Sequence, residues 1–151
     1  MIRYLSIAAL LAVGATVAYA QGVTGAAAIK ERVAVMKEQG QAMYRVGREM
    51  IKEEKPYDQT AATGVFKTVS ETSAKLKALF PDDSQAGDTR ALPAIWANKK
   101  DFNDWIDQLA ADAKDGVSST KDLASYKAAY DKVNASCNGC HKDYRKPPEK
   151  K

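Results

Sequence analysis

The stretch DLASYKAAYDKVNASCNGCHKDYR, residues 122–145, decides how the rest of the chain is read. Leu123, Tyr126, Tyr130, Val133, Cys137, Cys140 and Tyr144 recur at spacings of three and four, which is the period of one buried helix face. His141 follows Cys137 by one turn, about 40° round the axis at about 100° per residue. Both cysteines and the histidine therefore continue the seam that packs this helix inward. Ser119 and Asp122 predict a capping box at its start, and Pro147-Pro148 ends it.

Cys137-Asn138-Gly139-Cys140-His141 has the C-x-x-C-H form of a covalent attachment site for a c-type haem. The two thiols form thioethers with the haem vinyl groups, and the adjacent imidazole becomes an axial ligand of iron. The chain holds two cysteines and one histidine, and all three lie in this pentapeptide. A structural zinc site needs four N or S ligands, one more than is available. A thioredoxin-like C-x-x-C should open a helix within a βαβ unit, whereas this one closes a long helical segment. A structural disulfide leaves His141 without a purpose.

The N-terminus supports an exported protein. Arg3 precedes an apolar run from Leu5 to Val17, and Ala18-Tyr19-Ala20 precedes Gln21. That is the charged, apolar and small-x-small order of a secretory signal peptide over residues 1–20. The 13-residue run is too short for the ~20 residues of a membrane-spanning helix, so an uncleaved anchor is the weaker alternative. Residues 21–151 then form one domain, large enough to bury a core. The formal charge of +4 becomes +3 once Arg3 is removed, and two haem propionates would bring it close to neutral. Lysines interleave with Asp and Glu, which excludes a nucleic-acid footprint.

Four blocks carry apolar residues at helical spacing. The first runs from about Thr24 to Glu54, with Ile29, Val33, Met36, Met43 and Met50 on one stripe, and Pro56 stops it. The second starts at Asp58 as N-cap and presents Val65, Val69, Leu76 and Phe80 before Pro81. A loop from Pro81 to Pro93 follows. The third, about Ala94 to Lys114, presents Trp96, Phe102, Trp105, Ile106 and Leu109, with Gly116 expected at its end. The fourth is the helix described first. Four helices with mostly short connections predict an all-α, antiparallel up-down-up-down four-helix bundle with covalently bound haem.

Those features together resemble the class II c-type cytochromes, which carry C-x-x-C-H on the last helix of an exported bundle. The likeness covers the whole mature chain. It includes Lys55-Pro56-Tyr57-Asp58 between the first two helices, Ile95-Trp96 before the third, and the segment from Cys137 to Arg145. The family has a high-spin cytochrome c′ branch with five-coordinate iron and a low-spin c-556 branch with a methionine of the first helix as sixth ligand. Met36-Lys37-Glu38 and Glu54-Lys55-Pro56-Tyr57-Asp58 look more like the second. By resemblance, Arg32 could bind a haem propionate, the alternative being a solvated helix charge, and Arg145 matches an arginine near the proximal imidazole. The resemblance also implies pairing of two copies through the first two helices as one option, although no exposed stripe requires it.

Helical geometry bears on the sixth ligand. The first and last helices run antiparallel, so the start of one lies beside the end of the other. Met36, Met43 and Met50 are seven residues apart, and each step moves about 10.5 Å along the axis. Met36 is thus nearest the level of His141, and Gly40 would leave room for the porphyrin edge. Met43 and Met50 read as core. A periplasmic one-electron carrier meeting redox partner proteins is the leading expectation, with a gas-binding protein as the rival. No nucleophile–base pair or phosphate loop points to an enzyme. Lys30, Arg32 and Lys37 are expected beside Lys142, Arg145 and Lys146, with Lys150 and Lys151 nearby and partly offset by Glu149, as a positive partner surface, the alternative being a solvated rim that only keeps the protein soluble.

Overall fold

A computed structural model describes residues 24–147. The expected signal peptide, residues 1–20, lies outside the described residues, as do Pro148 and the tail residues Glu149, Lys150 and Lys151. The helices are α1 (Gly25–Gly40), α2 (Arg48–Ile51), α3 (Gln59–Leu76), α4 (Ala94–Ala97), α5 (Lys99–Ser119) and α6 (Leu123–Tyr144). A π-helical segment, Gln41–Gly47, joins α1 to α2 into one rod. This rod, α3, α5 and α6 form the expected four-helix bundle.

The starts of α3 and α6 follow from local chemistry. The Asp58 carboxylate accepts from the Ala61 amide at 2.6 Å, satisfying one of the orphan donors at the start of α3. At α6 the capping box is real but sits three residues later than expected. Asp122 is the N-cap, Ser125 donates 2.8 Å from its amide to the Asp122 carboxylate, and the Ser125 hydroxyl accepts from the Asp122 amide at 3.0 Å. Ser119 instead closes α5.

One further expectation changes for a packing reason. Gly116 does not end the third helix, because α5 runs on to Ser119. A Cβ there would sit 2.7 Å from the Phe66 ring, so glycine is required by the close approach of α3 rather than by a turn. Val33, expected on the inward stripe of the first helix, lines the space between α1 and α6 together with Met36. The rod also ends at Ile51, well before Pro56, through Glu53 in the left-handed region at φ 59°. Glu54 and Lys55 there return their amides to the Glu49 carbonyl at 2.9 and 3.2 Å.

The bundle is tight at one end and open at the other. At the tight end Met43, Met50, Val65, Phe66, Tyr126, Tyr130 and Val133 form one apolar cluster. Gly47 brings the π-helical segment against α6, since a Cβ there would lie 2.7 Å from the Tyr126 hydroxyl and 3.0 Å from the Tyr130 ring. The Met43 carbonyl accepts from the Arg48 amide in the π pattern and from the Tyr130 hydroxyl at 3.1 Å. Contacts between α6 and the rod run through the π segment and α2, while α1 stands off. At that open end Val35, Leu76, Leu79, Phe80, Ile95, Phe102, Ile106 and Tyr144 form a second cluster beside the gap.

Candidate haem site

Between α1 and α6 lies a cavity of about 370 Å³. Met36 and Gln39 of α1 line it from one side; Cys137, Cys140, His141 and Tyr144 of α6 line it from another, with Leu76, Phe80, Phe102, Trp105 and Ile106 between them. Of Met36, Met43 and Met50, only Met36 is at the cavity. The other two are 2% and 3% exposed in the opposite cluster, as expected of core residues.

Burial sets the chemistry of the attachment pentapeptide. It pushes the Cys137 thiol up to about 11 and the Cys140 thiol up to about 12. Thiols so far from ionising are not poised for dithiol exchange, which needs a stabilised thiolate. Both cysteines are free rather than joined as a disulfide. Burial likewise lowers His141 to about 4, helped by the positive charges of Arg145 and Arg90. A neutral imidazole with a lone pair to give is what a metal needs. Among the described residues, no hydrogen bond occupies its ring nitrogens.

Gly139 has a second role inside the motif. A Cβ at this position would run into the six-membered ring of Trp105, so that ring lies directly on the helix backbone between the two cysteines. Trp105 is thereby fixed as a wall of the cavity. A Cβ at Gly40 would meet nothing within 4 Å, but Gly40 is not among the residues lining the cavity. The apolar walls, two adjacent thiols, neutral imidazole and opposed thioether make this cavity chemically fit for a covalently held haem.

Of the two arginines singled out in the sequence, Arg145 lies near His141 as expected and Arg32 departs from one of its two expectations. Arg32 is not a solvated helix charge, being 3% exposed. Its guanidinium donates to the Leu79 carbonyl at 3.3 Å, the Ser84 hydroxyl at 2.9 Å, the Ser84 carbonyl at 2.8 Å and the Thr89 hydroxyl at 2.7 Å. It also lies 4.8 Å over the Phe80 ring. Four of its five N–H donors thus hold the 79–89 loop, and the residue drops out of any positive surface. Arg145 lines the cavity, and burial lowers its pKa, with the nearby charge of Arg90 adding to the effect.

Sequence reasoning missed Arg90 and Gln39, both at the cavity. Gln39 stands three residues from Met36, on the same helix face, which was a readable signal. Its amide nitrogen donates to the Thr72 and Ser73 hydroxyls at 2.9 and 3.2 Å. Those hydroxyls already donate to their own helix, at 2.6 Å to the Thr68 carbonyl and 2.7 Å to the Val69 carbonyl, which fixes the orientation of the amide. Arg90 had no local signal, because its place depends on how the long loop folds back.

Comparison with known proteins agrees with this geometry. The cytochrome c′ family profile matches residues 27–145. Cytochrome c′ of Rhodopseudomonas palustris is 38% identical over 145 residues, covering 95% of this chain and 96% of that protein. A cytochrome c-556 of Agrobacterium tumefaciens is 34% identical over 78% of this chain and 95% of its own length. The solved structure of the Rhodopseudomonas palustris cytochrome c′ superposes with a TM-score of 0.77, covering 81% of this chain and 98% of that one. That of oxidised cytochrome c556 from the same organism, at 29% identity, gives a TM-score of 0.73.

Proposed function

Because this chain belongs to the cytochrome c′ family of class II c-type cytochromes, whose members carry one covalent c-type haem, we propose that it is a periplasmic one-electron carrier with His141 and Met36 as axial ligands. The haem supplies a reversible one-electron iron couple. The protein supplies everything else. Cys137 and Cys140 tether the group, His141 presents a neutral imidazole, and Met36 offers a thioether from the opposite wall. Trp105, Phe80, Phe102 and Ile106 keep water away from the centre. The single observation that supports this reading is that Met36, alone of the described methionines, lines the cavity that also holds His141.

Export rests on the signal-peptide pattern of residues 1–20; among the described residues no helix is long and apolar enough to cross a membrane. The optical spectrum of purified protein tests the ligand set. We expect sharp low-spin bands in both oxidation states and no prompt change under carbon monoxide. A broad high-spin spectrum that responds to carbon monoxide would favour the gas-binding alternative.

For partner proteins the candidate surface is the rim of the cavity. Lys30, Lys37, Arg90, Lys142, Arg145 and Lys146 are exposed, interrupted by Glu31, Glu38, Asp88 and Asp143. The excess of positive charge is small, so steering should be modest. Reduction by an anionic small-molecule donor should slow as the Debye length falls from about 30 Å at 0.01 M salt to about 8 Å at 0.15 M. A cationic donor should show the opposite trend. Equal salt dependence for both would remove this rim as a partner site.

A further inference from the structure

The loop between α3 and α4 is tied to the end of α6 at the cavity mouth. Leu92 donates its amide to the Tyr144 carbonyl at 3.0 Å, and Lys146 donates its amide to the Arg90 carbonyl at 2.8 Å. Ala91 and Arg145 form an isolated antiparallel bridge. The pairing brings two guanidinium groups, Arg90 and Arg145, to one edge of the cavity. Among the described residues neither forms an ion pair. Arg90 gives one donor to the Lys146 carbonyl, and its remaining donors are uncommitted. Two like charges held together in this way repel each other, and an anion between them would offset that cost.

We propose that Arg90, together with Arg145, binds a haem propionate, and that Arg32 acts as a positioning residue for Arg90 rather than as a propionate ligand. Arg32 reaches the hydroxyl of Thr89, the residue before Arg90, at 2.7 Å. That hydroxyl in turn accepts from the Ala91 amide at 3.1 Å, so the buried guanidinium fixes the backbone on both sides of Arg90. A planar guanidinium fork suits a carboxylate, which it can meet with two parallel hydrogen bonds. The other ionisable groups around the cavity are Asp88 on the loop, Arg32 on α1, and Cys137, Cys140, His141 and Tyr144 on α6, with Tyr44 of the rod close to Arg145. Asp88 is the one competing carboxylate among them.

The inference rests on haem occupying this cavity and not on the sixth ligand. The test is the reduction potential of the holoprotein as a function of pH, for the parent, Arg90→Gln and Arg90→Lys. A guanidinium partner keeps a carboxylate ionised to lower pH. Loss of Arg90 should therefore raise the pH at which the potential begins to change by about one unit, a tenfold change in proton affinity. Arg90→Lys, which keeps the charge but not the fork, should give a smaller upward shift. Arg90 is exposed, so both variants should fold; if Arg90→Gln fails to mature, the lysine variant decides by the same criterion. An inflexion that stays in place in every variant that matures overturns the proposal. The spin state of the same samples reports separately on Met36, so failure of one reading is distinguishable from failure of the other.

Discussion

Colourless protein is the expected product when Cys137→Ala and Cys140→Ala are combined, whereas the parent keeps its haem on the polypeptide through acid–acetone extraction. The expected effect extends beyond lost colour. Without the haem, the apolar walls of a cavity of about 370 Å³ are left open to water and their burial is forfeited. Whole domains are stable by only about 5–15 kcal/mol. The apoprotein should therefore lose its cooperative thermal transition, or melt far below the holoprotein, when followed by circular dichroism. Release of all haem from the parent on extraction would overturn covalent attachment. A double variant that still carries covalent haem would do the same.

A change of spin state is expected for Met36→Ala and not for Met43→Ala. Removing the Met36 thioether from the cavity wall leaves His141 as the sole strong ligand, and the ferric spectrum should become high-spin. Met43 is 2% exposed among Tyr126, Tyr130 and Val133. Its truncation should leave the spectrum alone and cost about 2–5 kcal/mol through cavity formation, read as a fall in the denaturation midpoint. A Met36 variant that remains low-spin would exclude this residue as the ligand and send the search to other donors at the cavity.

Much of this architecture was legible because it is written at helical period. Val65, Val69 and Leu76 on α3, Phe80 just beyond it, and Tyr126, Tyr130 and Val133 on α6 are all buried as their spacing implied. The pentapeptide lies at the cavity for the same reason. The misreadings have a different origin. Gly116 looks like a helix end in one dimension, and only the approach of Phe66 reveals it as a packing residue. Val33 keeps its place on the inward stripe, because it lines the cavity between α1 and α6 that the haem would fill. The π segment Gln41–Gly47 changes the phase of the rod, and no residue pattern in it announces five-residue hydrogen bonding. Arg32 illustrates the hardest case. Its sequence surroundings on a helix say nothing of a loop more than 45 residues away, where Leu79 and Ser84 accept its hydrogen bonds.

Written as C-x-x-C-H, an attachment motif carries two blanks, and the second is occupied here by Gly139. In this fold that position is not blank. The indole of Trp105 takes the volume in which any other side chain would begin, so residues 105 and 139 are a single choice distributed over two helices. Asn138, by contrast, is exposed and answers to no such neighbour. The two unspecified letters of the motif therefore differ in kind: one is open to drift, and the other is locked to a tryptophan that belongs to no motif at all. Transplanting a pentapeptide from another haem protein into this bundle is thus an edit of α5 as much as of α6.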